Sequence, residues 1–220
     1  MRDVHCHILP GVDDGSRSME ESLEMVKAAM RVGVTSITCT PHCRDPWFNY
    51  DVMWDAFYAL TDAIKDISMA PKMSMGFEVN YRKLMELGSE WIDYLACETG
   101  DFLLELPTRA LPSDWERMVF EIQGRGYKVI IAHPERYKAV QENIDIARQF
   151  IGAGCKLQVS ADFYSEGRFS QVKKTAKALF EEDLVSYIAS DAHGSLAYEN
   201  LFKARKEYSA WGAHARLWKM

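Results

Sequence analysis

Two pairs of metal-ligating residue types stand two positions apart: His5 and His7 near the start of the chain, and Asp191 and His193 near its end. Side chains two apart share one face of an extended strand, so each pair can present both groups to one point while Cys6 points away. For His5 and His7 alone, a pair of core histidines bonded to the backbone is an equal reading. Four more groups of the same kind, His42, Glu78, Glu105 and His133, fall at the end of short apolar runs or just after them. Burying so many polar groups without partners costs several kcal/mol each, whereas divalent cations compensate them. Imidazole and carboxylate without thiolate favour Mn, Fe or Zn over a structural cysteine-zinc site.

The segment Gly11-Val12-Asp13-Asp14-Gly15 follows directly. Alone it reads as a turn, but its position after His7 lets one of the two aspartates reach a metal. Asp3 is one step deeper on the His5 face, where burial or support of a ligand fits better than ligation. A set of this size exceeds the roughly four to six ligands of one transition metal, so two or three ions are expected. Three divalent ions would outweigh the carboxylates and leave a positive cavity suited to a phosphate dianion. Clusters of this kind hydrolyse phosphate esters by generating hydroxide near neutral pH and binding the non-bridging oxygens. Arg136, three residues past His133, is placed to grip those oxygens bidentately, its alternative being a solvent-exposed arginine opening a helix. Cysteine-based transfer needs an arginine six positions after a thiolate. From Cys6, Cys39, Cys43, Cys97 and Cys155 that position holds Val12, Asp45, Asn49, Leu103 and Ala161, none of them arginine. Cys39 and Cys43 read as one strand and one loop residue and are left out of the site.

Strand–helix alternation positions these groups. Short runs at Asp3–Cys6, Val34–Thr40, Met73–Val79, Phe102–Leu106, Lys128–Ala132, Lys156–Ser160 and Ser186–Ala189 read as buried strands. Between them, Ser18 and Glu21 form a capping-box pattern ahead of a stripe of Met19, Leu23, Val26 and Met30, with Gly33 as a stop. Met53, Phe57, Leu60, Ile64 and Ile67 repeat the spacing before Pro71, and weaker stripes cover 115–122, 144–151, 172–180 and 198–208. Alternating strands and helices imply a parallel sheet, and about seven units are most economically closed into a small, irregular (β/α) barrel. No dinucleotide or P-loop glycine motif supports an open doubly wound sheet. The strand ends of a barrel converge on one rim, which gathers the candidate ligands. His214 lies in the tail and reads as incidental.

The 220 residues, 48% of them hydrophobic, suffice for one domain with its own core. A net charge of −6 argues against nucleic acid as the main partner. No apolar run approaches the ~18 residues of a membrane span, and the opening segment lacks the apolar stretch of a signal peptide. Five cysteines without framework spacing fit a reducing, cytoplasmic location.

The sequence resembles the PHP (polymerase and histidinol phosphatase) superfamily, within it the manganese-dependent bacterial protein tyrosine phosphatases of capsule and exopolysaccharide operons. The matching words are Asp3-Val4-His5-Cys6-His7 continuing through Asp13-Asp14-Gly15, Thr40-Pro41-His42, Gly76-Phe77-Glu78, Leu104-Glu105-Leu106-Pro107, Ala132-His133-Pro134-Glu135-Arg136 and Ser190-Asp191-Ala192-His193. The resemblance implies a distorted (β/α)7 TIM-like barrel, one PHP-type phosphoesterase domain over residues 1–220, with two to three divalent ions, manganese foremost. It implies one ion on His5, His7, Glu78 and Asp191, a second on Glu78, Glu105 and His133, and a third on Asp14, His42 and His193. It selects Asp14 over Asp13 and makes Arg136 a transition-state arginine. Its implied substrate is a phosphotyrosine protein, a bacterial tyrosine kinase of polysaccharide synthesis. Relatives carry a second arginine five residues past the last ligand histidine, where this chain has Tyr198, whose phenol brings a hydrogen bond without charge; the chain also ends earlier than typical members, which bears on oligomer contacts. Trp47, Phe48, Tyr50, Phe163 and Tyr164 offer stacking surfaces for an aryl ester, or anchor loops. The alternatives are a small-metabolite phosphatase of the histidinol-phosphate type and a metal-stabilised phosphotyrosine-binding module without turnover.

Overall fold

The computed structural model describes residues 1–210; His214 lies outside them. The β-rich runs form nine parallel strands among the described residues: β1 (Arg2–Asp3), β2 (Ser36–Cys39), β3 (His42–Cys43), β4 (Lys72–Met75), β5 (Glu78–Asn80), β6 (Asp101–Glu105), β7 (Lys128–Ala132), β8 (Lys156–Ser160) and β9 (Tyr187–Ala189). They pair as β1-β2-β4 and β3-β5-β6-β7-β8-β9. The seven runs expected from sequence become nine, because one is interrupted and a further short strand, β3, forms beyond the end of the second run. Pro41, which has no N–H to donate, separates β2 from β3. Gly76 separates β4 from β5, at a point where a Cβ would lie 2.4 Å from Cys97 Sγ. Backbone bonds carry the pairing past the breaks, Gly76 N donating to Cys39 O at 2.9 Å and Glu78 N to Pro41 O at 3.1 Å. The result is a mixed α/β fold around one curled parallel sheet. Past β1 the chain stays extended, and Cys6 forms an isolated bridge to Ala192, with His7 N donating to Ala192 O at 3.0 Å.

Parallel neighbours need crossovers, and helices supply most of them. These are α1 (Met19–Arg31), α2 (Tyr50–Ile64), α3 (Tyr81–Leu87), α4 (Ile92–Leu95), α5 (Trp115–Gly124), α6 (Lys138–Glu142), α7 (Asp145–Gly152), α8 (Gln171–Glu181) and α9 (Ala197–Ala210). Ser18 caps α1, its hydroxyl accepting from Glu21 N, and Gly33 adopts a φ of +82° just past the end. The buried face of α1 is Ser22, Met25, Val26, Ala28 and Ala29, rotated from the expected stripe, which leaves Leu23 only half-buried. In α2 the buried face is Met53, Phe57, Leu60 and Ile64, as the spacing predicts. The short α3, α4 and α6 carry too few turns to show a periodic stripe.

Both faces of the central strands are buried, by different chemistry. Phe102, Leu104, Val129, Ile131, Leu157 and Val159 join the main core beneath the helices. The alternate residues face the concave side, where Leu103, Ile130 and Ala132 form a small apolar floor. Continuing along that face toward the strand ends come Glu105, Gln158 and Ser160. The period-two alternation that builds the core thus also aims a polar row at one end of the curl.

Candidate metal centre

The polar row closes into a cavity. His42 pairs in register with Glu78 across β3 and β5, and Asn80 with Glu105 across β5 and β6. His5, His7 and Glu78 are almost fully buried, as are His42, His133 and Asp191, while Asp14 and His193 are partly open. His5 Nε2 and His7 Nε2 face each other at 3.1 Å. Glu78 lies 3.6 and 3.5 Å from these two nitrogens, and Asp191 Oδ1 3.4 Å from each. His133 Nε2 meets Glu78 Oε1 at 2.7 Å, with Glu105 Oε1 at 3.9 Å. Asp14 Oδ1 stands 3.0 Å from His42 Nε2 and 3.3 Å from His193 Nε2. All nine residues singled out from sequence as ligands therefore meet in one place. Three overlapping groups each bring their ligand atoms within 4.8 Å: His7, Asp14, His42 and His193; His5, His7 and Glu78; and Glu78, Glu105 and His133.

Supporting residues fix which nitrogen each ring offers. A carboxylate only accepts, so His7 Nδ1 donates to Asp13 Oδ2 at 2.8 Å and its Nε2 lone pair points into the cavity. Gln158 Oε1 accepts from His5 Nδ1 at 2.9 Å to the same effect, and the Asp191 carbonyl does so for His193 Nδ1, also at 2.9 Å. Two lone pairs then address one small space between His5 and His7, which requires a proton or a cation between them. His42 Nδ1 and Glu78 Oε2 lie 2.5 Å apart, yet both are buried without a hydrogen bond. Two buried polar atoms left unpartnered at that separation fit a metal. Burial opposes charge on His5 and His7, but Asp191, Glu78 and Asp13 overcome it and raise both pKa values, His7 the more. Burial likewise disfavours charge on Glu78 and Asp191, but His5 and the other partners hold both well below the carboxylate range. The cluster demands positive charge.

The turn after His7 is built for close approach. A Cβ on Gly15 would lie 2.2 Å from the His7 carbonyl, which accepts from Ser16 N at 3.0 Å. This packing sends the two aspartates different ways. Asp13, its side chain wholly buried, orients His7 and accepts from His42 N at 3.1 Å; burial opposes its charge, but the His7 bond holds its pKa down at about 2. Asp14 faces the cavity. Asp3 accepts from Ser190 N at 2.9 Å and Ser190 Oγ at 2.6 Å, with burial raising its pKa to about 6, so it supports the Asp191 backbone from below. His133 and Asp191 hold left-handed φ values of +31° and +48°, two of the four non-glycine residues with positive φ among the described residues, a cost that concentrates at functional sites.

Arg136 Nη2 donates to Asp191 Oδ2 at 2.6 Å and Asp162 Oδ2 at 2.7 Å. Burial works against its charge, but those carboxylates raise its pKa above the ordinary value. Several neighbours escaped the sequence reading. Arg44 Nη2 donates to His42 Nε2 at 2.8 Å, and the guanidinium lies over the Trp47 ring at 5.1 Å. Ser160 Oγ donates to Asp191 Oδ2 at 2.9 Å and accepts from Gln158 Nε2 at 3.3 Å. Gln158 and Ser160 repeat the two-residue spacing at a strand end, a signal passed over because neither side chain is charged. Asp162 carries no such signal.

One expectation needs correction, for Cys43, and two readings left open, for Tyr198 and the aromatic rings, now resolve. Tyr198 does not enter the cavity: it is fully buried, its hydroxyl 3.1 Å from Cys6 Sγ, on the opposite face of the strand from His5 and His7. Cys43 is a buried residue of β3 rather than a loop residue. Of the proposed stacking rings, Trp47 stands at the cavity, 5.6 Å from the His42 ring. Phe48 and Tyr50 pack on Phe77 and Trp91, Phe163 is buried against Phe180, and Tyr164 lies under Lys173.

The family model described as capsular polysaccharide synthesis, CpsB/CapC, matches residues 1–206. The CapC protein of Staphylococcus aureus is 30% identical over 216 residues, which span 94% of this chain and 84% of that protein. The tyrosine-protein phosphatase CpsB of Streptococcus pneumoniae is 30% identical over 202 residues, 88% of this chain and 83% of its own length. A chain from the crystal structures of YwqE from Bacillus subtilis and CpsB from Streptococcus pneumoniae, described as metal-dependent tyrosine phosphatases, superposes with a TM-score of 0.81 at 26% identity. That match covers 94% of this chain and 87% of the other.

Proposed function

The chain belongs to the CpsB/CapC family of capsular polysaccharide synthesis, and from that premise we propose that it is a metal-dependent phosphatase of phosphotyrosine proteins. The observation that carries the reading is the convergence of the His5 and His7 Nε2 atoms with Glu78 and Asp191 on one buried point. Around it, His5, His7, Glu78 and Asp191 would hold one ion, Glu78, Glu105 and His133 a second, and Asp14, His42 and His193 a third. The site takes two to three divalent ions, manganese first and iron or zinc next. Such ions supply nucleophilic water at neutral pH and positive charge for the phosphate oxygens.

The chain's own residues orient these groups and the ester. Asp13, Gln158 and the Asp191 carbonyl hold the rings in the ligating tautomer. Arg136, clamped through Nη2, leaves its other guanidinium nitrogens for the phosphate oxygens, where a fixed donor favours the transition state. Trp47 supplies an aromatic wall for a phenyl ring at the open side. Phenolate, with a pKa near 10, leaves with little acid help.

We read the curled sheet as a distorted (β/α)7 barrel, with the Cys6–Ala192 bridge supporting closure. The whole chain, 1–220, is one PHP-type domain. No helix among the described residues is long and apolar enough to cross a membrane. We place the protein in the cytoplasm, acting on a tyrosine kinase of polysaccharide synthesis. The deciding experiment is turnover of p-nitrophenyl phosphate and a phosphotyrosine peptide by Mn2+-loaded protein, with elemental analysis of the same sample. Two to three ions per chain and activity abolished by chelator and restored by Mn2+ are expected; a metal-replete protein that turns over neither ester overturns the reading.

A further inference from the structure

A cleft of about 420 Å3 opens off the cavity, sharing Arg44 and Glu105 with it, and no step of the hydrolysis uses it. Its walls are the start of α3, with Arg82 and Lys83, and the loop after β6, with Thr108 and Arg109. Both walls are tied to the cavity. Asn80 Nδ2 donates to Glu105 Oε2 at 2.8 Å, while Asn80 Oδ1 accepts from the backbone of Arg82 at 3.1 Å and of Lys83 at 3.4 Å. The Thr108 carbonyl accepts from Lys138 N at 2.8 Å, which anchors the opposite loop.

Charge then decides what the cleft can take. Lys83 is engaged by Asp45 at 2.8 Å and Glu86 at 3.4 Å, and Arg44 faces inward toward His42, Asp14 and Glu105. Arg82 and Arg109 are exposed and make no ion pair among the described residues. Four cations line the cleft, Arg44, Arg82, Lys83 and Arg109, against three carboxylates, Asp45, Glu86 and Glu105. Lys83 and Arg44 occupy those carboxylates, so in a chain of net charge −6 the cleft carries a small positive excess with two guanidinium groups free to meet a ligand. A lone surface arginine is ordinary; two in a cleft that leads into the cavity form a recognition surface.

We infer that this cleft is a subsite for an acidic side chain, Glu or Asp, of the phosphotyrosine-bearing polypeptide. The inference rests on the phosphatase reading of the cavity and adds the sequence context of its substrate. Extended chain advances ~3.3–3.6 Å per residue, so a side chain within about three residues of the phosphotyrosine spans from cavity to cleft. Guanidinium and carboxylate match as paired donors and acceptors.

The test compares two phosphotyrosine peptides differing only in Glu against Gln within three residues of the phosphotyrosine, on Mn2+-loaded wild type and an Arg82→Ala/Arg109→Ala double variant. Wild type is expected to favour the acidic peptide about five- to tenfold in kcat/KM, chiefly through KM, since each exposed pair contributes modestly. The double variant should lose that preference with turnover of p-nitrophenyl phosphate, too small to reach the cleft, unchanged. Raised salt should shrink the wild-type preference. Equal kcat/KM for the two peptides on wild type, or a preference that survives in the double variant, overturns the subsite. If p-nitrophenyl phosphate is not turned over, the phosphatase reading fails separately, and fluorescence anisotropy of the labelled peptides then decides. Tighter binding of the acidic peptide, lost in the double variant, upholds the cleft; equal binding overturns it.

Discussion

Arg136 and Arg44 stand at opposite flanks of one cavity with the same side-chain exposure, 31%, yet they are held quite differently. Arg136, at the ends of β7 to β9, has Asp191 and Asp162 within 2.7 Å, and Asp191 is itself bound by Ser160 Oγ. Arg44, at β3, has its carboxylates at 3.5 and 3.6 Å, and its Nε is buried with no partner. One flank is a network of short charge-assisted bonds running from Asp162 through Arg136 Nη2 to Asp191 and on to Ser160. The other leans on a ring and an imidazole and opens into the basic cleft. Exposure therefore does not decide how firmly a cation is placed; the number of short, charge-assisted bonds does. In catalytic terms, the closed flank is preorganised for charge that develops in the transition state, and the open flank for admitting substrate.

The largest expected contrast is between the two aspartates that face the proposed ions. Asp191 is buried beside His5, His7 and Arg136, whereas the Asp14 side chain is 39% exposed. Asp191→Ala should lower p-nitrophenyl phosphate turnover by about a thousandfold or more and reduce bound metal, because it removes the buried carboxylate that positions the half-buried Arg136 and opens a ligand position. Asp14→Ala should cost about ten- to a hundredfold, and excess Mn2+ should recover part of the loss. Equal losses in the two variants would erase the distinction between the flanks. Next comes Arg136→Lys against Arg44→Lys. A lysine keeps the charge but not the fork, so kcat should fall about a hundredfold at 136 and stay within about fivefold at 44. Smaller again is Gln158→Leu, which removes the acceptor for His5 Nδ1 at nearly constant volume. Metal affinity should fall about ten- to a hundredfold by competition with a chelator, consistent with loss of a group that orients a ligand.

The two flanks were not equally legible in the sequence. Period-two spacing exposed the pair at 5 and 7, because extended chain converts that spacing directly into a shared face. The pair at 191 and 193 has the same spacing but converges by another route, past the end of β9, where Asp191 turns at a φ of +48°. His42 and His133 were found from the ends of apolar runs, although the breaks at Pro41 and Gly76 were not. What escaped belongs to contacts between distant segments. Asp162 reaches Arg136 from a turn after β8, and Arg44 comes to Glu105 only once β3 and β6 are placed on either side of β5. The division of labour between Asp13 and Asp14 depends on one close approach, Gly15 against the His7 carbonyl. Local spacing cannot show such an approach, since it is set by how the turn packs and not by which residues form it.

The smallest effect is expected at Tyr198, on the back of the closed flank. Its position at the start of α9, five residues after His193, invites the thought that the phenol serves the reaction. The geometry separates them: Tyr198 shares the outer face with Cys6, and the strand lies between its hydroxyl and the His5 and His7 rings. Tyr198→Phe removes one buried neutral hydrogen bond, a loss of about 1 kcal/mol. For a domain of this length that lowers Tm by roughly 2–4 °C, readable by calorimetry on the metal-loaded protein. Turnover should stay within about twofold and the metal content unchanged, since the closed network of Asp191, Ser160 and Arg136 does not run through the phenol. A tenfold fall in kcat at unchanged metal content would mean that the outer face takes part in positioning. The firmness of the closed flank would then have to be traced through α9 as well as through its own carboxylates.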